Sequence, residues 1–418
     1  MTRFLLLLAT SLAIHAQERP DCLALLRTPI DIQAHRGFPA PENIMASMAL
    51  DPARHDAEIR AHAWELLSLV TRPVAAGCTE AIWESWANRG AAFRAPDPSR
   101  SNKSPGGPVR ILETTAKIQM ERLPPDIAAR TFGASYFNPV SVSKIQDAKL
   151  PLYDSASVFA VFDKLPFTQG TIQFDRGAVN IKPVWRVVRR KELLSLPVWD
   201  DNPRGGADAP EGTWRQRVAV RHPNPTNPGL PQVGASTTCG DRSCTVVSGT
   251  SFYHAYLKKG DSIVRGHEEF DDGDLLILLG MHITTRELPE WFWATFWWHP
   301  YPNDTYFGSG RPSTVQGPWR NYRMDATVSA DDPVDPFVGG PRIMFNPYME
   351  ASLPAVSEGK PGGTSSSCVA CHSRAVWPAR TVFANQSVVT RGSMPHVYFK
   401  DKLLLDFVWG IYMADRNP

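Results

Sequence analysis

Prolines punctuate this chain often enough to limit what it can fold into. There are 37 of them in 418 residues, roughly 9 % against a usual ~5 %. Proline removes a backbone donor and breaks helix interiors and central strands. A plain helix bundle is therefore disfavoured. With 43 % hydrophobic residues the chain has enough apolar material for a core. Its length suits two or three domains, or one large one. The fold class expected is α+β, rich in loops. Charge adds an exclusion. The 44 Lys and Arg are balanced by 42 Asp and Glu, for a net +2, without the basic excess of a nucleic-acid-binding protein. No nucleic-acid partner is expected.

The first 16 residues read as a secretory signal. Arg3 supplies the positive start, Leu5–Ile14 is an apolar run broken only by Thr10 and Ser11, and Ala16 is a small residue at the cleavage position. The run falls short of the ~20 apolar residues that span a bilayer, and no later segment qualifies. The mature chain, Gln17–Pro418, is expected to be periplasmic or secreted, without a transmembrane segment. Free thiols are disfavoured in an oxidising compartment. Two of the six cysteines belong to the motif below. The other four, Cys22, Cys78, Cys239 and Cys244, allow three disulfide connectivities. The sequence-local pairing is Cys22–Cys78 with Cys239–Cys244, the latter closing a turn-forming Gly-Asp-Arg-Ser stretch.

Apolar residues at helical spacing predict helices over Asp51–Val70 and Thr79–Phe93, then near Val140–Lys149 and Ser155–Lys164. The character changes at Leu165-Pro166. Strands are predicted at Ala178–Val188, Arg215–Val220, Thr245–Leu257, Asp274–Arg286, Trp291–Trp298 and Tyr322–Val328, with turns that suit an antiparallel meander. An apolar helix is expected at Lys402–Met413. The resulting division is a signal at 1–16, a helical N-terminal lobe at 17–165, a β-rich lobe at 166–345, and a segment at 346–418 holding the cysteine motif and the last helix.

That motif is Cys368-Val369-Ala370-Cys371-His372, a C-x-x-C-H. It is the attachment sequence for c-type haem. Two thiols separated by two residues span the two vinyl groups of one porphyrin, and the next residue brings an imidazole under the iron. With 6 Cys and 11 His in 418 residues, chance supplies the pattern roughly 0.002 times per chain. Cys368 and Cys371 are the expected haem anchors and His372 the proximal iron ligand, for one covalent haem c. Two other readings stand beside it. Cys239, Cys244, Cys368 and Cys371 could make a four-cysteine zinc site, and the C-x-x-C could be a redox dithiol. Candidates for a sixth iron ligand are Met394, His396 and His299. Arg374, Arg380 and Arg391 flank the motif, and an Arg fork suits a haem propionate. Only 46 residues follow His372, too few for the usual helical c domain. The haem must therefore rest against the preceding β-rich part. The aromatic stretch Trp291–Trp298 is read chiefly as core and haem packing.

The block Phe174-Asp175-Arg176-Gly177-Ala178-Val179-Asn180-Ile181-Lys182-Pro183-Val184-Trp185 resembles a strand of the lysine-crosslinked mono-haem cytochromes that oxidise hydroxylamine. Their non-crosslinked relatives are the β-sheet cytochromes c-prime. In that group too the haem motif lies near the C-terminus, as Cys368–His372 does here with Thr381-Val382-Phe383 shortly after. As a whole the chain resembles large exported mono-haem proteins of the cytochrome c family. The resemblance implies that Lys182 lies near the haem. It also implies an iron able to take a small molecule of the nitric oxide or hydroxylamine kind. The helical N-terminal lobe has no counterpart in the group.

Two functions follow from these residues. In one, a six-coordinate haem passes electrons to a redox partner protein. In the other, a five-coordinate iron binds or converts a small-molecule ligand. A zinc-stabilised secreted binding protein is the reading without haem.

Overall fold

The computed structural model describes residues 20–35, 37–94, 113–114, 131–147, 152, 172–200, 211–258, 271–329, 333–337, 339, 343–351, 367–377 and 403–413. The fold is α+β, with mostly antiparallel sheets and few helices. The expected signal at 1–16, the helix at Ser155–Lys164, Arg380, Arg391, Met394 and His396 lie outside the described residues.

A nine-stranded antiparallel sheet organises the molecule. Its strands are β1 (Ala87–Asn88), β2 (Glu113–Thr114), β3 (Thr131–Gly133), β4 (Tyr136–Phe137), β5 (Val179–Val188), and later β10 to β13. A smaller sheet holds β6 (Leu194–Val198), β7 (Gln216–Arg221), β8 (Ser236–Cys239) and β9 (Arg242–Ser248), in the order β6-β7-β9-β8. The large sheet then takes β10 (His254–Tyr256), β11 (Leu275–Thr285), β12 (Phe292–Trp298) and β13 (Tyr322–Thr327). Its central path runs β1-β4-β5-β11-β12-β13. A last pair joins β14 (Val376–Trp377) to β15 (Leu403–Leu404). The one parallel pairing among these strands is β7 with β9.

The two faces of the large sheet differ in chemistry. Successive residues on a strand point to opposite faces, and residues directly opposite on paired strands share one. One face carries Ile181, Ile283, Ala294, Phe296, Met324 and their neighbours. It packs on the helix Asp56–Val70: Trp64 lies 5.6 Å from Phe296 and His62 4.7 Å from Phe292, ring centre to ring centre. That helix buries Ile59, Ala63, Trp64, Leu66, Leu67 and Val70, the spacing read from its sequence. Glu287 ties it further, accepting from Ala40 N at 2.7 Å and meeting His62 Nε2 at 2.9 Å. The other face carries Asn180, Lys182, Thr284, His282, Trp293 and Thr295.

Several expected elements take other forms. Thr79–Phe93 is not one helix: a 3-10 turn at Ile82–Ser85 leads into β1, then a short helix at Arg89–Ala92. Residues 87–137 thus supply strands to the sheet and not only helices. Trp83 and Trp86 are both buried in the core, with Trp86 Nε1 donating to Ile30 O. Thr245–Leu257 is broken at Gly249–Ser251, a 3-10 turn that ends β9 and starts β10. Lys402–Met413 is not a helix throughout, because β15 and a turn precede a short helix at Trp409–Met413. Apolar runs of this length satisfy a buried strand as well as a helix, and periodicity alone does not separate them. The segment Val140–Lys149 is helical as Pro139–Ile145, capped by the Asn138 side chain.

Candidate functional site

The motif Cys368–His372 forms one helical turn. Its start is tied to the chain ahead of the short helix Pro347–Glu350: Cys368 N donates to Met344 O, and Met344 N donates to Ser367 Oγ. Val369 and Ala370, the two spacer residues, are buried. Val369 pins the turn into a second apolar cluster with Phe174, Trp291, Trp293, Met344, Leu405 and Phe407. Cys368, Cys371 and His372 are half-buried, with Cys368 packed against the edge of that cluster.

The other four cysteines are joined as Cys22–Cys78 and Cys239–Cys244, while Cys368 and Cys371 are free thiols. The local pairing is thus the one formed. The disulfide removes Cys239 and Cys244 from any thiolate ligand set, so the four-cysteine zinc site is not formed. Cys22, Cys78 and Glu80 also lie close together, but that pair of sulfurs is bonded too. Burial pushes both motif thiols up, Cys368 well above the usual range and Cys371 to about 11 despite the Arg374 charge beside it. A redox dithiol needs the opposite, a thiolate favoured by its surroundings. Neutral sulfur, as in a thioether, suits this environment.

His372 is oriented from two sides. Its Nδ1 lies 2.8 Å from Phe407 O, and its ring centre lies 4.6 Å from that of Trp293. Burial lowers its pKa to about 4, so the imidazole is neutral at pH 7. A neutral ring that gives its Nδ1 proton to a carbonyl presents Nε2 as the free ligand nitrogen, as metal-bound histidines do. These residues fit a c-type haem: two unbonded sulfurs on one turn, neutral, with a fixed imidazole next to them.

The contact with Trp293 brings the polar face of the large sheet against this turn. Strand register lines up Lys182, His282, Thr295 and Asp325 across β5, β11, β12 and β13. Glu350 joins them from the helix Pro347–Glu350, with Oε1 at 2.8 Å from His282 Nε2. Asn346 caps that helix and fixes it to the sheet: its Nδ2 donates to Thr295 Oγ1 and Phe296 O, both at 2.9 Å, and its backbone N donates to Glu350 Oε2. Gly280 makes this approach possible, since a Cβ there would lie 2.7 Å from the Asn346 amide. Burial lowers the pKa of Lys182, opposed by Glu350 and the two motif cysteines. Burial pushes Glu350 up, but the His282 imidazole, Lys182 and the Asn346 N–H outweigh it and hold the carboxyl low. Lys182, Glu350, Cys368, Cys371 and His372 therefore form one electrostatic group.

Of the residues the sequence reading singled out, Lys182 feels the charges of both motif cysteines and Arg374 that of Cys371. Arg374 is buried. His299 does not offer a free nitrogen. It is buried, with Nε2 donating to Trp199 O at 3.2 Å and Nδ1 accepting from Tyr301 N at 3.1 Å. Burial and the Arg323 charge lower its pKa to about 3. Its role is to hold a corner of the chain. The sequence reading missed His282 and Glu350. His282 carried a signal, a lone basic residue in an apolar strand, but its partner is 68 residues away. No helix among the described residues is long and apolar enough to cross a membrane. No family model, curated protein or solved structure matches the chain.

Proposed function

We propose that this protein is an exported mono-haem c-type cytochrome in which Cys368 and Cys371 carry the haem, His372 is the proximal ligand, and the Lys182 side of the sheet handles a small-molecule ligand. The observation that carries the haem reading is the free Cys368–Cys371 pair beside an imidazole whose Nδ1 is held by Phe407 O, while every other cysteine is in a disulfide. Bound there, a haem supplies one-electron chemistry and an iron that accepts small ligands. The two disulfides fit a periplasmic or secreted location.

The polar row supports ligand handling over electron transfer alone. Buried charges are costly unless they are paired. A carrier gains nothing from a Lys, a His–Glu pair and an Asp gathered beside its haem. A ligand whose reaction moves protons does gain from them. His282 Nε2 and Glu350 Oε1 are at proton-passing distance, and Lys182 stands directly across the strand pair from His282. In this reading Lys182 and His282 donate to the bound ligand, and Glu350 takes or returns the proton through His282. The strand resemblance points to a small nitrogen compound of the nitric oxide or hydroxylamine kind. Electron transfer remains the competing reading, with Met394 or His396 as sixth ligand and a redox protein as partner.

The test is expression with cytochrome c maturation, followed by optical spectra of the reduced protein with and without CO. A covalently retained haem and rapid CO binding are expected. Covalent haem that excludes CO would refute ligand handling and leave the carrier. Cys368→Ser with Cys371→Ser should abolish covalent attachment, and retained attachment would overturn the anchor assignment.

A further inference from the structure

We propose that Asp406 is the positioning residue of the His372 imidazole. It holds, through Arg286, a strained turn whose only evident product is a carbonyl aimed at Nδ1. The inference rests on the haem reading above. It concerns a residue 34 positions after the motif, with no signal of its own in the sequence.

The turn is Leu405–Val408, closed by Val408 N donating to Leu405 O at 2.9 Å. Both central residues have positive φ, 46° at Asp406 and 66° at Phe407. That pair of signs marks a type I′ turn, which favours Asn-Gly. A bulky aromatic residue rarely adopts this conformation. Type I′ turns usually join the strands of a hairpin, because their twist matches the strands. Here β15 enters the turn and the helix Trp409–Met413 leaves it, so hairpin geometry does not account for the strain. Strained backbone persists where the surroundings over-determine it, and the observed outlier points to use.

The surroundings are specific. Asp406 Oδ2 accepts from Arg286 Nε at 3.1 Å and from Phe174 N at 2.8 Å. Arg286 is itself fixed at the end of β11: its N donates to Ala178 O and its Nη1 to Leu288 O at 2.6 Å. Ahead of the turn, Leu405 N donates to Ala375 O, three residues after His372. The carboxylate thus joins the entry to β5 to the end of β11, and the Leu405 backbone ties the turn to the segment leaving the motif. With Asp406 held, Phe407 O lies 2.8 Å from His372 Nδ1, and the Phe407 ring packs 6.4 Å from Trp293, centre to centre. A hydrogen bond from Nδ1 to a carbonyl makes the imidazole a stronger donor to the metal and favours the oxidised iron.

The test measures the midpoint potential of the full-length holoprotein, with haem content and far-UV circular dichroism matched between variants. Asp406→Ala and Arg286→Gln should each raise the potential, and Asp406→Asn, which keeps an acceptor for Phe174 N, should raise it less. If Asp406→Ala fails to fold, Arg286→Gln and Asp406→Asn read the same link. Unchanged potentials in a haem-loaded protein would overturn the inference alone. Wild-type protein without covalent haem would overturn the haem reading, and this inference with it.

Discussion

Replacing Glu350 by Gln probes the polar row directly, because shape is kept while the one carboxylate that pairs with His282 and faces Lys182 is lost. Removing one partner from a fully buried ion pair costs about 3–5 kcal/mol. The His282 and Glu350 side chains keep 13 % and 14 % exposure, and Lys182 can relieve the imbalance by releasing its proton. A cost of about 2–3 kcal/mol at pH 7 is therefore expected. The pH dependence carries more information. Glu350 is held below its ordinary value in the folded chain, so its contribution is present above the unfolded carboxylate pKa and lost as pH falls through the folded one. Lys182 is lowered on folding. The unfolded chain then binds more protons at high pH, and stability rises as pH climbs from the folded Lys value toward the unfolded one. Without Glu350 that rise begins at lower pH. The difference between wild type and Glu350→Gln should thus be largest near neutrality and shrink toward both acid and alkaline pH. Urea unfolding followed by far-UV circular dichroism, with disulfides intact, measures it across the pH range. A deficit below about 0.5 kcal/mol at pH 7, or one that does not vary with pH, would refute the pairing.

The two disulfides should differ in worth, because they close loops of 56 and 5 residues. Loop-closure entropy gives about 4 kcal/mol for Cys22–Cys78 and about 2 kcal/mol for Cys239–Cys244, and double Cys→Ser variants in urea should rank in that order. Arg186 and Glu211 form a buried two-point pair at 2.6 and 3.1 Å. Arg186→Met alone should cost about 3–5 kcal/mol, whereas Arg186→Met with Glu211→Leu should cost far less, because no charge is then left stranded. Trp293→Ala should cost about 3–5 kcal/mol and alter the visible spectrum of the holoprotein, since its ring lies on His372.

Local patterns carried much of this molecule. The long strands β5, β11, β12 and β13 lie within a residue or two of their expected limits, because their β-branched and aromatic runs are bounded by turns. The motif, the local disulfide pairs and Lys182 were also visible as words in the sequence. What stayed hidden depends on register. Lys182, His282, Thr295 and Asp325 become a row only once three strand pairings are aligned, and a slip of one residue would turn each to the other face. Asp406 was hidden for another reason. It sat within an apolar segment read as a helix, whereas it lies in a positive-φ turn and its carboxylate pairs with Arg286, 120 residues earlier.

The division of the cysteines has a consequence for biogenesis. Synthesis proceeds from the N-terminus, so Cys22 and Cys78 emerge first and then Cys239 and Cys244, each pair complete before the next begins. Each earlier pair can therefore close without meeting Cys368 or Cys371. Closure in that order lowers the chance that the last pair is scrambled. A delay in the first closure, through slow oxidation or a lost Cys78, would then reach far beyond the N-terminal segment: Cys22 would remain open to capture a late thiol and leave that molecule unable to mature.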